Sequence, residues 1–178
     1  MSKKRAAFLI ILLLSLRAYT FSQVLTPDAI ARFHINEANY LADVGKYLEA
    51  IEDLNTASGF AETAAIKAEA VSLKANLLSV FLDNPQTAMQ AYDNIIRDFT
   101  ATAYYEPAIF QAGMLRYQGG DPAGATTFFA RYLREFPAGP RASTAEFLLD
   151  RVKAGEKARI TAAQRPIRPT FSARLSYI

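Results

Sequence analysis

The stretch of sequence that decides the fold is YQGGDPAGA, residues Tyr117–Ala125. Gly120 can take the left-handed backbone that ends a helix. Asp121 followed by Pro122 supplies an N-cap side chain and a proline that fits the first turn of a new helix. The stretch therefore predicts one helix that ends, a short turn, and a second helix that begins at once, which together make a helical hairpin.

The same arrangement occurs three times along the chain: a long amphipathic stretch, a short polar break, and a second helix that opens with alanine and carries a bulky residue four positions later. The other two breaks lie at residues 44–46 and 82–85. Aligned on the opening residues Ala50, Ala88 and Ala125, the units are offset by 38 and then 37 residues. A period of this length is typical of helical repeats, in which each hairpin buries its apolar stripe against a neighbour.

The repeats are followed by a predicted amphipathic helix over residues 143–153, which would cap the last hairpin. Residues 155–178 are basic and interrupted by prolines. We expect them to be a flexible tail, a segment packed on the repeats, or the start of a further domain. Within them, residues 171–178 alternate between apolar and polar side chains, as a strand does. One side of the capping helix carries Ala145, Leu148, Leu149 and Val152.

The N-terminus has the pattern of a secretory signal peptide over residues 1–22. Three basic residues, Lys3 to Arg5, precede an apolar run over residues 6–16, and the small residues Thr20 and Ser22 follow. The run is about half the length of a membrane-spanning helix. It predicts an exported protein, periplasmic or otherwise associated with the cell envelope; the alternative is a retained N-terminal anchor. Since the chain has no cysteine, disulfides and a lipidated cysteine are excluded.

Charge is distributed unevenly along the chain. Residues 28–98 hold 11 acidic and 5 basic side chains, whereas residues 99–178 hold 6 acidic and 11 basic ones. Such asymmetry predicts either steering of an anionic partner to one end or head-to-tail contact between copies of the chain. An ordinary solvated surface with a drift in composition is the alternative.

These residues resemble the tetratricopeptide repeat family, over roughly residues 28 to 138. The resemblance implies a right-handed solenoid of about three helix-turn-helix hairpins, within an all-α domain over residues 28–154 that includes the C-terminal capping helix. The segment Tyr117–Ala125 is also similar to repeats of bacterial cell-envelope proteins, such as the periplasmic coordinator of the Tol-Pal system. The third unit matches best, through Gly113, Tyr117, Gly120, Ala125, Phe129, Tyr132 and Pro137.

The other two units depart from the family pattern in places. In the first, His34 stands where the family usually has a large aromatic or aliphatic residue, and it is expected to be a packing residue of the first hairpin. The second unit has Asn76 at the position of a small residue and Pro85 where an aromatic residue usually follows the turn. The first unit otherwise matches through Ala38, Leu41, Gly45, Tyr47, Ala50 and Ala57.

The resemblance also implies a partner-binding groove, formed by the first helix of each hairpin and suited to a protein or peptide. Apolar and aromatic side chains of the kind expected there concentrate binding energy. The alternative is that the same side chains belong to the core or are covered by the C-terminal tail. The groove residues are expected to be Ile35, Asn39, Leu73, Leu77, Phe81, Phe110, Met114 and Tyr117.

The sequence is poor in residues that carry catalysis. His34 is the only histidine and there is no thiol, so a Cys–His nucleophile pair and a two-histidine zinc site are excluded. We therefore expect a non-catalytic scaffold with no cofactor, no metal and no nucleic acid, and with membrane contact only through the basic tail. Two alternatives are the N-terminal adaptor module of a longer envelope enzyme or outer-membrane protein, and a self-assembling structural protein that forms homo-oligomers.

Overall fold

The computed structural model describes residues 26–163, and within this range the chain forms seven α-helices and no strand. The prediction of an all-α fold is thereby confirmed. The proposed signal peptide and the strand predicted over residues 171–178 lie outside the described residues. The helices are α1 (Pro27–Asp43), α2 (Tyr47–Phe60), α3 (Ala64–Val80), α4 (Pro85–Asp98), α5 (Tyr105–Gln118), α6 (Pro122–Glu135) and α7 (Ala142–Ala163).

The three predicted breaks between helices are confirmed. Gly45 and Gly120 have φ angles of 80° and 74°, the left-handed backbone that a helix end requires. The side chain of Asn84 accepts a hydrogen bond from the backbone N–H of Thr87 at 3.2 Å and so caps α4. Asp121 caps α6 in the same way. Each turn is therefore set by local backbone and capping chemistry.

The chain divides into two compact units between Ala112 and Gly113, within α5. In the first unit, α1 packs on α2, α2 on α3, and α3 on α4. Small residues let the helix backbones approach closely, and the predicted packing positions Ala50, Leu54 and Tyr92 are buried. The core of the first three helices comprises Ala31, Ile35, Ala38, Ala50, Leu54, Ala57, Ala61, Ile66, Ala70 and Leu77.

In the second unit, α6 packs on α7, and α5 approaches α6 closely at Gly113. A Cβ atom added at Gly113 would lie 2.8 Å from Cε1 of the fully buried Phe129. Glycine at this position therefore lets the two helices cross closely. The predicted apolar side of α7 is also buried, namely Ala145, Leu148, Leu149 and Val152. The helix itself continues past the predicted end at residue 153, through Gly155 to Ala163.

The start of α7 is held by the buried side chain of Tyr132. Its hydroxyl oxygen accepts a hydrogen bond from the backbone N–H of Arg141 at 3.1 Å. A Cβ atom at Gly139 would lie 2.7 Å from that hydroxyl oxygen, so the loop can pass only with glycine there. This contact fixes where α7 begins relative to α6.

The N-terminus of α3 is capped from a distance by Asp28 of α1. Its carboxylate accepts hydrogen bonds from the backbone N–H groups of Glu62 at 2.8 Å and Thr63 at 3.0 Å, and from the Thr63 hydroxyl. These hydrogen bonds hold the pKa of Asp28 below its usual value of 3.8, and the bond from the Thr63 hydroxyl has the largest effect. Asp28 therefore joins the first helix to the start of the third.

Because the folded protein lowers the pKa of Asp28, its contribution to stability should be present above pH 3.8 and be lost as the pH falls through the folded pKa. We expect Asp28→Asn to lower the melting temperature near neutral pH, and the difference from wild type to shrink as the pH falls below 3.8. Thermal melts of both proteins across this pH range measure the difference in melting temperature. Glu37→Gln, at an exposed position of the same helix, is the control. A difference that stays constant with pH would contradict the capping role.

Candidate partner-binding site

The structure brings three of the predicted groove residues together in the core of the first unit. Ile35 and Leu77 are buried members of the core cluster, and Leu73 packs against it partly buried. Phe110 is also buried. These side chains hold helices together and present little surface to a partner.

The other predicted groove residues remain accessible. Asn39 and Phe81 are exposed in the first unit, and Met114 and Tyr117 are partly exposed in the second. The Phe81 ring stacks on the Tyr47 ring, with 4.4 Å between their centroids. The accessible members of the predicted groove are therefore Asn39, Phe81, Met114 and Tyr117, with Leu73 half-buried.

An exposed aromatic surface on the first hairpin was missed by the sequence reasoning. Phe33 and Tyr40 of α1 are 62% and 61% exposed, and Phe60 at the end of α2 is also exposed. We call these three residues the aromatic face. The opposite side of α1, with Ala31, Ile35 and Ala38, is buried in the core. Polar residues surround the aromatic side chains on the outer side of the helix, including Arg32, Asn36, Glu37 and Asn39.

The sequence did contain a signal for this surface. Phe33, Tyr40 and Val44 follow one another at intervals of seven and four residues, so they form a second apolar stripe on α1. A helix in a small domain needs one apolar stripe to pack on its core. A second stripe, largely exposed, is therefore surplus to folding and points to a contact with something else.

His34 contacts two of the three side chains of the aromatic face, Phe33 and Phe60. Its Nδ1 atom lies 2.7 Å from Oδ1 of Asp53 in α2, so the two helices are tied together at this point. The Phe33 ring meets the imidazole edge-on at 5.5 Å, and the imidazole stacks parallel to the Phe60 ring at 6.3 Å. The expectation that His34 packs the first hairpin agrees with this geometry, which also gives it a polar partner. Phe33 and Phe60 therefore pack on a residue that joins α1 to α2.

A second exposed apolar surface lies where the turn before α2 meets the turn after α3. We call it the turn patch and define it as Tyr47, Leu48, Val80, Phe81 and Leu82. A shallow pocket of about 310 Å³ is lined by residues 45–49 and Leu82. Val80 is 69% exposed and Phe81 54% exposed. The first unit therefore has an apolar projection as well as an aromatic helix face.

The second unit contains a larger cleft, which we call the α7 cleft. Its volume is about 520 Å³. Tyr117, Pro122 and Val152 give it apolar walls, and Arg151 and Arg159 place two guanidinium groups at its rim. Gly120, Gly155 and Glu156 complete the lining.

The α5–α6 turn beside the cleft is braced by charge. Asp121 accepts hydrogen bonds from the backbone N–H of Gly124 at 2.9 Å and from Nη1 of Arg116 at 3.0 Å. These two contacts, the Gly124 bond first, lower the pKa of the Asp121 carboxyl. The Arg116 guanidinium also lies 5.1 Å above the centre of the Phe128 ring. These contacts tie the turn that contains Gly120 and Pro122 to the end of α5 and the start of α6.

Within residues 26–163 no cluster of three His, Cys, Asp or Glu side chains is arranged to hold a metal ion. No helix in the same range combines the length and apolarity needed to cross a membrane. In comparisons with known proteins, no protein-family model matches the chain and no curated protein shows significant sequence similarity to it. What the protein does is therefore inferred from its own residues.

Proposed function

We propose that this protein is an exported, non-catalytic scaffold that holds a protein or peptide partner in the bacterial cell envelope. In this proposal its hairpins stack as the right-handed tetratricopeptide-like solenoid predicted from the repeats. The observation that carries the proposal is the aromatic face, because two aromatic side chains more than 60% exposed lie on the outer side of a helix whose inner side is fixed in the core.

The physical chemistry of the aromatic face suits protein recognition. Phe33 and Tyr40 are seven residues apart on one helix, which corresponds to roughly 10 Å along its axis. Rigid aromatic side chains with a rim of polar residues are the usual composition of an interface centre, where a few residues supply most of the binding energy. Asn39 lies beside Tyr40 and was predicted to line the partner-binding groove. A partner with an apolar helix or extended segment would match this surface.

Two features of the sequence support the envelope setting and the absence of catalysis. Residues 1–22 have the charge and hydropathy pattern of a signal peptide. The chain has a single histidine and no thiol nucleophile. A binding role for the helical hairpins requires neither a catalytic histidine nor a thiol.

The proposal is tested by capture of proteins from an envelope extract on immobilised protein. Phe33→Ser combined with Tyr40→Ser is expected to reduce the captured partner at least about tenfold, the loss that corresponds to roughly 1.4 kcal/mol of binding energy. Its melting temperature should stay close to that of wild type, because both side chains are exposed.

Phe147→Ser is the matched control, since Phe147 in α7 is 62% exposed, as Phe33 is, but belongs to the second unit. It should capture the partner as well as wild type does. Equal capture by all three proteins, or equal loss in both variants, would contradict the role of the aromatic face.

A further inference from the structure

The lining of the α7 cleft carries two guanidinium groups, of Arg151 and Arg159, and one carboxylate, of Glu156, so its net charge is positive. Arg151 and Arg159 are exposed, and neither has a hydrogen bond or ion pair with the side chains that the structure describes. They are eight residues apart on α7, so they lie on the same side of the helix, two turns from each other. Between them the walls are apolar, through Tyr117 and Val152. The cleft is therefore suited to an apolar group that is accompanied by a carboxylate.

Gly155 lies between the two arginines in sequence and lines the cleft without a side chain. A Cβ atom added at this position would meet no atom within 4 Å. In the middle of a helix glycine is less favourable than alanine, and neither a close contact nor a positive φ angle requires it here. The cleft beside Gly155 therefore has room for an incoming side chain.

The turn after α3 has a composition complementary to that of the α7 cleft. Val80 and Phe81 are exposed apolar residues, and two positions later Asp83 is exposed with a φ angle of 45°. Positive φ is uncommon for residues other than glycine and turns the chain sharply. The Asp83 carboxylate has no hydrogen bond or ion pair with the described side chains. The turn thus projects two apolar side chains and an unmatched negative charge.

The net charges of the two units also complement each other. Among the described residues, the first unit has 12 acidic and 5 basic side chains, a net charge of −7, and the second has 5 acidic and 8 basic ones, a net charge of +3. Opposite charge of this size steers two such surfaces together and favours that pairing over contact between like units.

We propose that the α7 cleft of one copy binds the turn formed by residues Val80–Asp83 of a second copy. Phe81 and Val80 enter between Tyr117 and Val152, and the Asp83 carboxylate faces the guanidinium groups of Arg151 and Arg159. These residues are distinct from the aromatic face, so this self-association stands or falls independently of the partner-binding function proposed above.

Such a contact is heterologous, because different surfaces of the two copies meet. Each pair leaves one cleft and one turn unoccupied, so association continues into rings or open chains rather than ending at a dimer. A contact of one turn with one cleft buries little area and should be weak and transient. Its charged component should be screened by salt.

The test is sedimentation of the purified full chain over a range of concentrations. The average mass of wild type is expected to rise with concentration in about 0.05 M salt, and the association constant should fall at least about tenfold in 0.5 M salt, roughly where the screening length drops below 5 Å. A wild-type chain that stays monomeric at all concentrations would overturn the proposal.

Two variants then separate the surfaces. Gly155→Leu fills the cleft, whereas Gly155→Ala adds a single methyl group and leaves it open; both remove the glycine from the helix and should be at least as stable as wild type. Val80→Ser combined with Phe81→Ser removes the apolar part of the turn. Gly155→Leu alone and the turn variant alone should both be monomeric, while Gly155→Ala should associate as wild type does.

Mixing the two defective variants gives the decisive result. The turn variant retains an intact cleft and Gly155→Leu retains an intact turn, so the mixture should form a one-to-one pair that cannot grow further. Association of Gly155→Leu by itself, or a mixture that stays monomeric, would overturn the assignment of these two surfaces.

Discussion

The Gly113→Ala variant is expected to melt up to about 8 °C below the wild-type chain, which corresponds to a loss of up to about 2 kcal/mol in the free energy of unfolding. Alanine in place of glycine improves the helix propensity of α5 by about 1 kcal/mol. The added methyl group, however, would lie 2.8 Å from Phe129 and 3.2 Å from Cβ of Phe128. Phe129 is completely buried, so its ring cannot move aside without disturbing the core, and the overpacking outweighs the gain in propensity.

Gly59→Ala is the matched control for this effect. Gly59 is also helical, in α2, but a Cβ atom there would have no neighbour within 4 Å. This variant should be stabilised by up to about 1 kcal/mol. Thermal melts of both variants measure the contrast in sign. If both substitutions raise the melting temperature, α5 does not cross α6 as closely as described.

The Asn76→Ala variant is expected to lose about 1–3 kcal/mol of stability, because it removes the acceptor for a buried hydroxyl. The Tyr92 hydroxyl donates a hydrogen bond to Oδ1 of Asn76 at 2.7 Å, and the Tyr92 side chain is almost completely buried between α3 and α4. Burial raises the pKa of Tyr92 to about 12, against a smaller opposing effect of the Ser79 hydroxyl. The phenol therefore stays protonated as the donor at physiological pH.

A double-mutant cycle isolates this bond. Tyr92→Phe removes the buried donor and leaves Asn76, which is partly exposed and can be hydrated, so we expect it to cost less than Asn76→Ala. Adding Asn76→Ala to Tyr92→Phe should then have little further effect. Denaturant unfolding gives the four free energies. Additive losses in the double variant would mean that the two side chains do not depend on each other.

The turns and packing positions could be predicted from the sequence because their signals are local. Gly45 and Gly120 mark helix ends by backbone freedom, and Asn84 and Asp121 mark helix starts by capping. Each signal involves a few adjacent residues and does not depend on the rest of the fold. The breaks between the two helices of each hairpin were therefore correctly predicted.

The functional surface was harder to predict. When a helix has two apolar stripes, its sequence alone does not determine which stripe is buried. On α1 the stripe through Ile35 and Ala38 joins the core, whereas Phe33 and Tyr40 face outward. That choice depends on where α2 and α3 pack, and their positions are not encoded in the periodicity of α1. The same is true of Leu77, which was expected to line a groove but packs on the core cluster.

Two other features depend on contacts across the fold. Asn76 departs from the family pattern, and the structure supplies its reason in the hydrogen bond from Tyr92, sixteen residues away. The continuation of α7 beyond residue 153 was missed because residues 155–178 were assigned to a tail from their basic, proline-interrupted composition. The neighbours of Gly155, which are Glu156, Lys157 and Ala158, are strong helix formers, and one glycine among them costs too little to stop the helix.

The most direct measurement of the scaffold function is site-specific photo-cross-linking in the living cell, followed by separation of envelope and cytosolic fractions. A photoreactive side chain replaces Tyr40 in one protein and Phe147 in a second, since both positions are about equally exposed. The proposal predicts a discrete protein adduct from position 40, recovered in the envelope fraction, and none from position 147. A chain found only in the cytosol, or position 40 yielding no adduct, would contradict an exported scaffold that holds its partner on the aromatic face.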